Sequence, residues 1–235
     1  MKARYLPLLP ALLALNGCVI DGSRRGPVQY STESVEMDDS EVVRVELKMG
    51  AGDLRMTDGG AKLMRADFAY DVPYWKPEVR YHSSGKQGFL TIEQPARSNT
   101  RFGNTKYRWD LQLNKKVPVD LTLHFGAGQA RLDLGSLDLR GLEVHMGVGQ
   151  LDVDLRGVPK HSYSVGIHGG IGQATVHVSA DAGIYAEAHG GIGSIQVHGL
   201  QHEDGHWVSP VYDRAENKIR MEIQGGIGEV KVIAD

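Results

Sequence analysis

Gly126-Ala-Gly-Gln-Ala-Arg-Leu132 is one of six copies of a single phrase, and the fold follows from how that phrase recurs. The other copies are Gly50-Ala-Gly-Asp-Leu-Arg-Met56, Gly147-Val-Gly-Gln-Leu-Asp-Val153, Gly170-Ile-Gly-Gln-Ala-Thr-Val176, Gly191-Ile-Gly-Ser-Ile-Gln-Val197 and Gly226-Ile-Gly-Glu-Val-Lys-Val232. From Gly126 onward the spacings are 21, 23, 21 and 35 residues, the last lengthened by an inserted loop. A repeat in this range marks a stacked array, in which each unit buries its apolar face only against its neighbours. On either side of the phrase residues alternate: Val119, Leu121, Leu123 and Phe125 before it, Ala130, Leu132 and Leu134 after it. Alternation of this kind predicts a strand with one buried face. Where two such strands meet at Gly-X-Gly the chain needs a sharp corner, which glycine permits because it has no Cβ. The corners are Gly50 and Gly52, Gly126 and Gly128, Gly147 and Gly149, Gly170 and Gly172, Gly191 and Gly193, and Gly226 and Gly228.

Each lap then reads as strand, corner, strand and return loop. The predicted fold class is all-β: a parallel two-sheet β-solenoid of about five rungs over 117–235, with an N-terminal antiparallel β unit at 41–116 packed on its end. Aligned on the corners, Leu132, Val153, Val176, Val197 and Val232 form one inward column, and Phe125, Met146, Gly169, Gly190 and Gly225 another. Each fully buried Val or Leu contributes roughly 1.5–3 kcal/mol. No rung would fold alone, whereas the stack would. Antiparallel hairpins in a sandwich fit the alternation too, but leave the repeated corners unexplained.

With 235 residues the chain can bury a real core, and its net charge of −3 provides no global basic field for nucleic acid. The first residues read as a leader. Lys2 and Arg4 precede an apolar run from Leu6 to Leu15, too short to span a bilayer. The run ends in Leu15-Asn16-Gly17-Cys18, which resembles the bacterial lipoprotein signal. That resemblance implies removal of 1–17 and lipidation of Cys18. Cys18 is the only cysteine, so no intrachain disulfide exists. Several acyl chains anchor a protein stably where one would be marginal. Val19 and Ile20 follow in place of the aspartate that retains lipoproteins at the inner membrane, so the resemblance favours an outer membrane where two are present. The polar residues up to 40 read as a tether, on the order of 25 Å in reach as a coil.

Strand-like runs follow at 42–56, 62–70, 78–82, 88–93 and 107–113. Here Val45-Glu-Leu-Lys-Met-Gly-Ala-Gly-Asp-Leu-Arg-Met56, Ala66-Asp-Phe-Ala-Tyr70 and Lys76-Pro-Glu-Val-Arg-Tyr81 resemble the N-terminal part of the toast-rack domain family. The Gly-Gly-Ile-Gly phrases resemble its repeat region, so the likeness spans about 41–235. It implies a β-rich fold of undetermined function. It also implies kinship with membrane-tethered envelope proteins, including cell-wall stress sensors of the LiaF type, from which this chain departs in offering a lipid and no transmembrane helix.

His124, His145, His168 and His189 each stand two residues before a corner glycine, with Gln224 in the equivalent place of the last lap. In register they form an outward column about 4.8 Å apart, with Glu143, Glu187 and Glu222 on the same face. Such a column could hold a transition metal or titrate near neutral pH; a solvated face of stacked polar side chains is the plainer reading. His202-Glu-Asp-Gly-His206 spells H-E-x-x-H, but the zinc-protease motif needs a helix, and Gly199, Gly205 and Pro210 predict a loop. Arg97, Arg101, Lys106, Arg108, Lys115 and Lys116, near Trp75, Phe102 and Trp109, suggest a patch for anionic headgroups or cell-wall polymer. The Gly-X-Gly phrases are not nucleotide loops, since none opens a helix or carries Lys-Ser/Thr. No catalytic residue and no cofactor is expected. The sequence therefore predicts a non-enzymatic, lipid-anchored scaffold or interaction module of the cell envelope, partnered by an envelope protein or cell-wall polymer. An envelope-stress, pH or metal sensor built on the histidine column is the alternative.

Overall fold

Alternating side chains become strands wherever one face can be covered, and thirteen form among the described residues. In the computed structural model, which describes residues 26–95 and 105–235, they are β1 (Gln29–Val35), β2 (Val42–Asp58), β3 (Met64–Tyr70), β4 (Glu78–Ser84), β5 (Gln87–Glu93), β6 (Tyr107–Leu113), β7 (Val119–Asp133), β8 (Leu139–Leu155), β9 (Tyr163–Val178), β10 (Gly183–His198), β11 (Gln201–Glu203), β12 (His206–Val208) and β13 (Lys218–Ala234). One 3-10 turn, Pro73–Trp75, interrupts them. The leader, Cys18, Arg97, Arg101 and Phe102 lie outside the described residues.

Six of these strands, β2, β7, β8, β9, β13 and β10, contain the glycine phrase and pair in parallel in that order. Each bends at the phrase. Phe125 and Ala130 are five residues apart and would face opposite sides of a flat strand, yet both are buried in one core. The two arms face each other: a Cβ on Gly190 would lie 3.5 Å from Ile195 Cδ1, and one on Gly225 3.1 Å from Val230 Cγ2. This is the expected parallel solenoid, and parallel pairing rules out the hairpin sandwich.

The first glycines form one file, Gly50, Gly126, Gly147, Gly170, Gly226 and Gly191, each lying against the carbonyl of the one before. A Cβ on any of the last five would collide with that oxygen. The second glycine of each phrase also has positive φ, as in Gly172 at 139°, a region closed to other residues.

Three features depart from expectation. First, β13 does not follow β10 on the outside of the stack. It lies between β9 and β10, pairing Gln224 with His168 on one side and with His189 on the other. Corner and parity are the same in every lap, so any lap can stack on any other, and sequence order does not dictate spatial order. Second, residues 29–35 were expected in the tether but form β1, antiparallel to β3 from Gln29↔Tyr70 to Val35↔Met64. Third, the N-terminal half is continuous with the solenoid. β2 is itself a lap, paired with β7 from Val43↔Val119 to Met56↔Leu132.

β5 and β6 add in parallel to the first and second arms of β2, so together they supply the two arms of a further lap. Among the described residues it is the Gln94 side chain that meets the corner of β2 on this side: its Oε1 accepts hydrogen bonds from Gly50 N at 2.7 Å and Ala51 N at 3.3 Å. Antiparallel β4 on β5, and β3 then β1 on β6, finish this end. Trp75, Trp109 and Phe68 are buried here, the bulk that closes an array otherwise open to solvent.

Candidate functional site

Two surfaces of the stack carry chemistry, and register in the parallel ladder positions both. On the outer face of the first arms, one column runs Lys48, His124, His145, His168, Gln224, His189 in spatial order. The structure brings three of the four expected histidines together. The His124 and His145 rings stack with centroids 5.1 Å apart and planes at 6°, and His145 and His168 at 5.1 Å and 11°. His189 is separated from them by β13, whose Gln224 donates instead to Glu222 at 2.6 Å.

The adjacent column, two residues earlier, reads Glu46, Thr122, Glu143, Gly166, Glu222, Glu187. Glu143 Oε1 lies 3.4 Å from His145 Nε2 and 3.0 Å from His168 Nε2, so one carboxylate oxygen serves two rings. Glu46 stands 3.8 Å from His124 Nε2 and 2.9 Å from Lys48 Nζ. The carboxylate of Glu143 and the imidazoles of His145 and His168 offer ligand atoms all within 4.8 Å of one another. Glu143 was among the carboxylates expected on this face from sequence, whereas Gly166 was not singled out. The available signal was the break in the polar column, where a mid-strand glycine stands two residues before a histidine.

The second surface is the corner itself. The middle residues of the phrases form an outward file of Val148, Ile171, Ile227 and Ile192, from 49% to 71% exposed. Behind it the inward column shrinks from Met49, Phe125 and Met146 to Gly169, Gly225 and Gly190, so the core runs out of side chains toward β10. A cleft of about 180 Å³ opens there, bordered by Ile167, Ala174, Ile223, Val230 and Ile195. β12 covers β10 only at Tyr185 and Ala186. Among the described residues no strand pairs with the outer side of β10 beyond them. Tyr185, at the covered end, donates to Glu187 at 2.5 Å, and that bond, with burial adding to it, raises its phenol above the ordinary value.

The remaining candidates resolve differently. His202 to His206 forms the β11–β12 hairpin, with positive φ at Asp204 and Gly205. His202 packs on Trp207 and His206 stacks on Tyr185. The two histidines therefore do not share a helical face, and the zinc-protease geometry is absent. In the proposed basic patch Trp75 and Trp109 are core residues rather than surface aromatics, and Arg108 is paired with Asp110 at 2.8 Å. No described helix is long and apolar enough to cross a membrane.

A family model, the N-terminal domain of toast_rack, DUF2154, matches residues 24–177. Among solved structures, a Clostridium sporogenes protein named as a candidate cell adhesion protein superposes with a TM-score of 0.84 at 30% identity, covering 88% of this chain and 100% of its own. A candidate adhesin from Bacteroides fragilis is 12% identical with a TM-score of 0.30, covering 87% of this chain and 96% of its own. A candidate lipid-binding protein from Parabacteroides distasonis is 10% identical with a TM-score of 0.25, over the same shares. No curated protein sequence matches the chain.

Proposed function

This chain belongs to the toast-rack family, and from that premise we propose that it is a non-enzymatic interaction module, held at the bacterial cell envelope by a lipid on Cys18 and binding a protein partner along the open edge of β10. The uncovered edge carries this reading. After its corner, β10 exposes Gly191 to Gln196, with Ile192 71% and Ile195 36% exposed beside the cleft. An unpaired strand is a template for another, and main-chain pairing with side chains seated in adjoining pockets is an established mode of peptide recognition. A strand edge offers alternating N–H and C=O groups to a polypeptide rather than to a glycan, which favours an envelope protein over a cell-wall polymer. The adhesion name of the Clostridium sporogenes protein agrees with a contact role. The leader resemblance supplies the anchor, with the outer membrane favoured where two membranes exist.

The test uses the full-length protein in intact cells with a photo-crosslinking residue at Ser194. The expected result is a protein adduct that Ile192→Asp removes and that the same probe at Arg80, on the opposite end of the stack, does not yield. Equal labelling from both positions overturns the edge as the contact. Separately, Cys18→Ala is expected to move the protein out of the membrane fraction; undiminished membrane retention overturns the lipid anchor.

A further inference from the structure

We propose that Glu143, His145 and His168 form a binding site for one divalent transition-metal ion of the zinc class. Two of the three ligand-atom separations already match those of ligands sharing an ion, and all three atoms lie within 4.8 Å of one another. With metal–ligand bonds of about 2.0–2.2 Å, two donor atoms on a tetrahedral ion lie roughly 3.3 Å apart. Glu143 Oε1 stands 3.4 Å from His145 Nε2 and 3.0 Å from His168 Nε2. Both rings already turn the same nitrogen toward the same carboxylate. Imidazole with carboxylate suits zinc, nickel or copper(II) rather than magnesium or calcium.

Gly166 is the second, independent observation. It sits inside β9 directly across from Glu143. Its backbone is ordinary strand, with no positive φ, so conformation does not call for glycine there. Glycine inside a strand weakens it and often marks a close approach. Here what approaches is the ligand itself: a Cβ on Gly166 would collide with Glu143 Oε2. The missing side chain is the space across which Glu143 leans from β8 to reach His168 on β9. In the same column Glu46, Thr122, Glu222 and Glu187 all carry side chains, and only this lap leaves the gap. β8 and β9 are both interior strands of the parallel ladder, which fixes the spacing of the two rings before any ion arrives. His124, stacked on His145, walls one side. The side toward solvent stays open for the ion's remaining ligands, and the site is independent of the β10 edge.

The probe is zinc chloride, titrated into the full chain after treatment with chelator and followed by calorimetry and native mass spectrometry. The expected result is one ion per chain. His168→Ala and Glu143→Gln should each weaken binding at least tenfold. Gly166→Ala should do the same while keeping every ligand side chain, because it displaces only the carboxylate. His189→Ala, beyond β13, should bind as the parent does. Circular dichroism and melting in chelator establish that each variant is folded; Glu143→Gln, which removes charge without changing shape, carries the test if Gly166→Ala is not. Absence of stoichiometric zinc overturns the site. Binding that survives Glu143→Gln and His168→Ala equally overturns it, as does loss of binding in His189→Ala.

Discussion

The carboxylate of Glu229 on β13 accepts a hydrogen bond from Gln173 Nε2 on β9 at 2.7 Å. Its other oxygen accepts one from Gln196 Nε2 on β10 at 2.9 Å. The C-terminal strand is therefore an interior member of the ladder, pinned from both sides. Chain ends ordinarily fray and exchange early. Here the amides from Ile219 to Val232 are expected among the slowest class in native-state hydrogen exchange, matching β9. Rapid exchange across β13, at the rate of an unpaired terminus, would contradict its central placement.

The second glycine of each corner is held by conformation and by contact together. Gly172 has φ of 139°, and its Cβ would strike the carbonyl of Gly149. Gly85, in the β4–β5 turn, has φ of 60° but nothing within 4 Å of a Cβ. Gly85→Ala should therefore cost only about 1–2 kcal/mol, the left-handed penalty alone. Gly172→Ala should cost roughly 3 kcal/mol or more, since strain there adds to displacement of the neighbouring lap. Denaturant unfolding of the two variants makes the comparison. Equal losses would mean that contact between laps contributes nothing.

Gln94 caps the corner of β2 with a side-chain acceptor. Gln94→Leu keeps the size but removes the acceptor for Gly50 N, in a region where Gln94 itself is 9% exposed. Gly50 is itself exposed, so water can partly replace the acceptor, and a loss of about 1 kcal/mol, the net worth of one hydrogen bond, is expected from chemical denaturation. A Gln94→Glu variant should recover most of it above the carboxylate's pKa, because the acceptor is restored.

Asp38 ties the β1–β2 connection to β4. Its carboxylate accepts from the Ser40 backbone N–H at 3.0 Å and from the Tyr81 hydroxyl at 2.8 Å. Hydrogen bonds from Ser40, then from Tyr81, lower its pKa to about 2 from 3.8. A carboxylate depressed on folding stabilises the protein fully above the unfolded value of 3.8, and that contribution fades as pH falls toward about 2. The group is exposed, so solvent screening keeps the effect small. Carbon-detected NMR should find Asp38 titrating well below the ordinary aspartate value of 3.8, and Tyr81→Phe should move its pKa upward. An unmoved titration would remove Tyr81 as a cause.

Much of the architecture was legible because its determinants are local. Alternation around Phe125 and Ala130 specified strands, the five-residue phase change between them specified a bend, and a recurrent Gly-X-Gly specified where. The strand-like runs at 78–82 and 88–93 became β4 and β5 for the same reason. What could not be read is pairing between segments distant in sequence. Gln29–Val35 carries no apolar alternation of its own, since most of its side chains are polar. It becomes a strand because the edge of β3 is available to it. The histidine column was legible as a column, but its membership was not, because that depends on which strand lies beside which.

The amino-acid sequence by itself determined the lap: where it bends, which residues turn inward, and that glycine alone can sit where one lap's corner meets the next lap's carbonyl. Only the tertiary structure decided the order of the laps, placing β13 between β9 and β10 and so parting His189 from His168. The physical reason is that every lap presents the same corner and the same parity to its neighbours. Backbone hydrogen bonding is therefore nearly indifferent to sequence order, and the choice passes to side chains such as Glu229, Gln173 and Gln196, which meet only once the stack is formed.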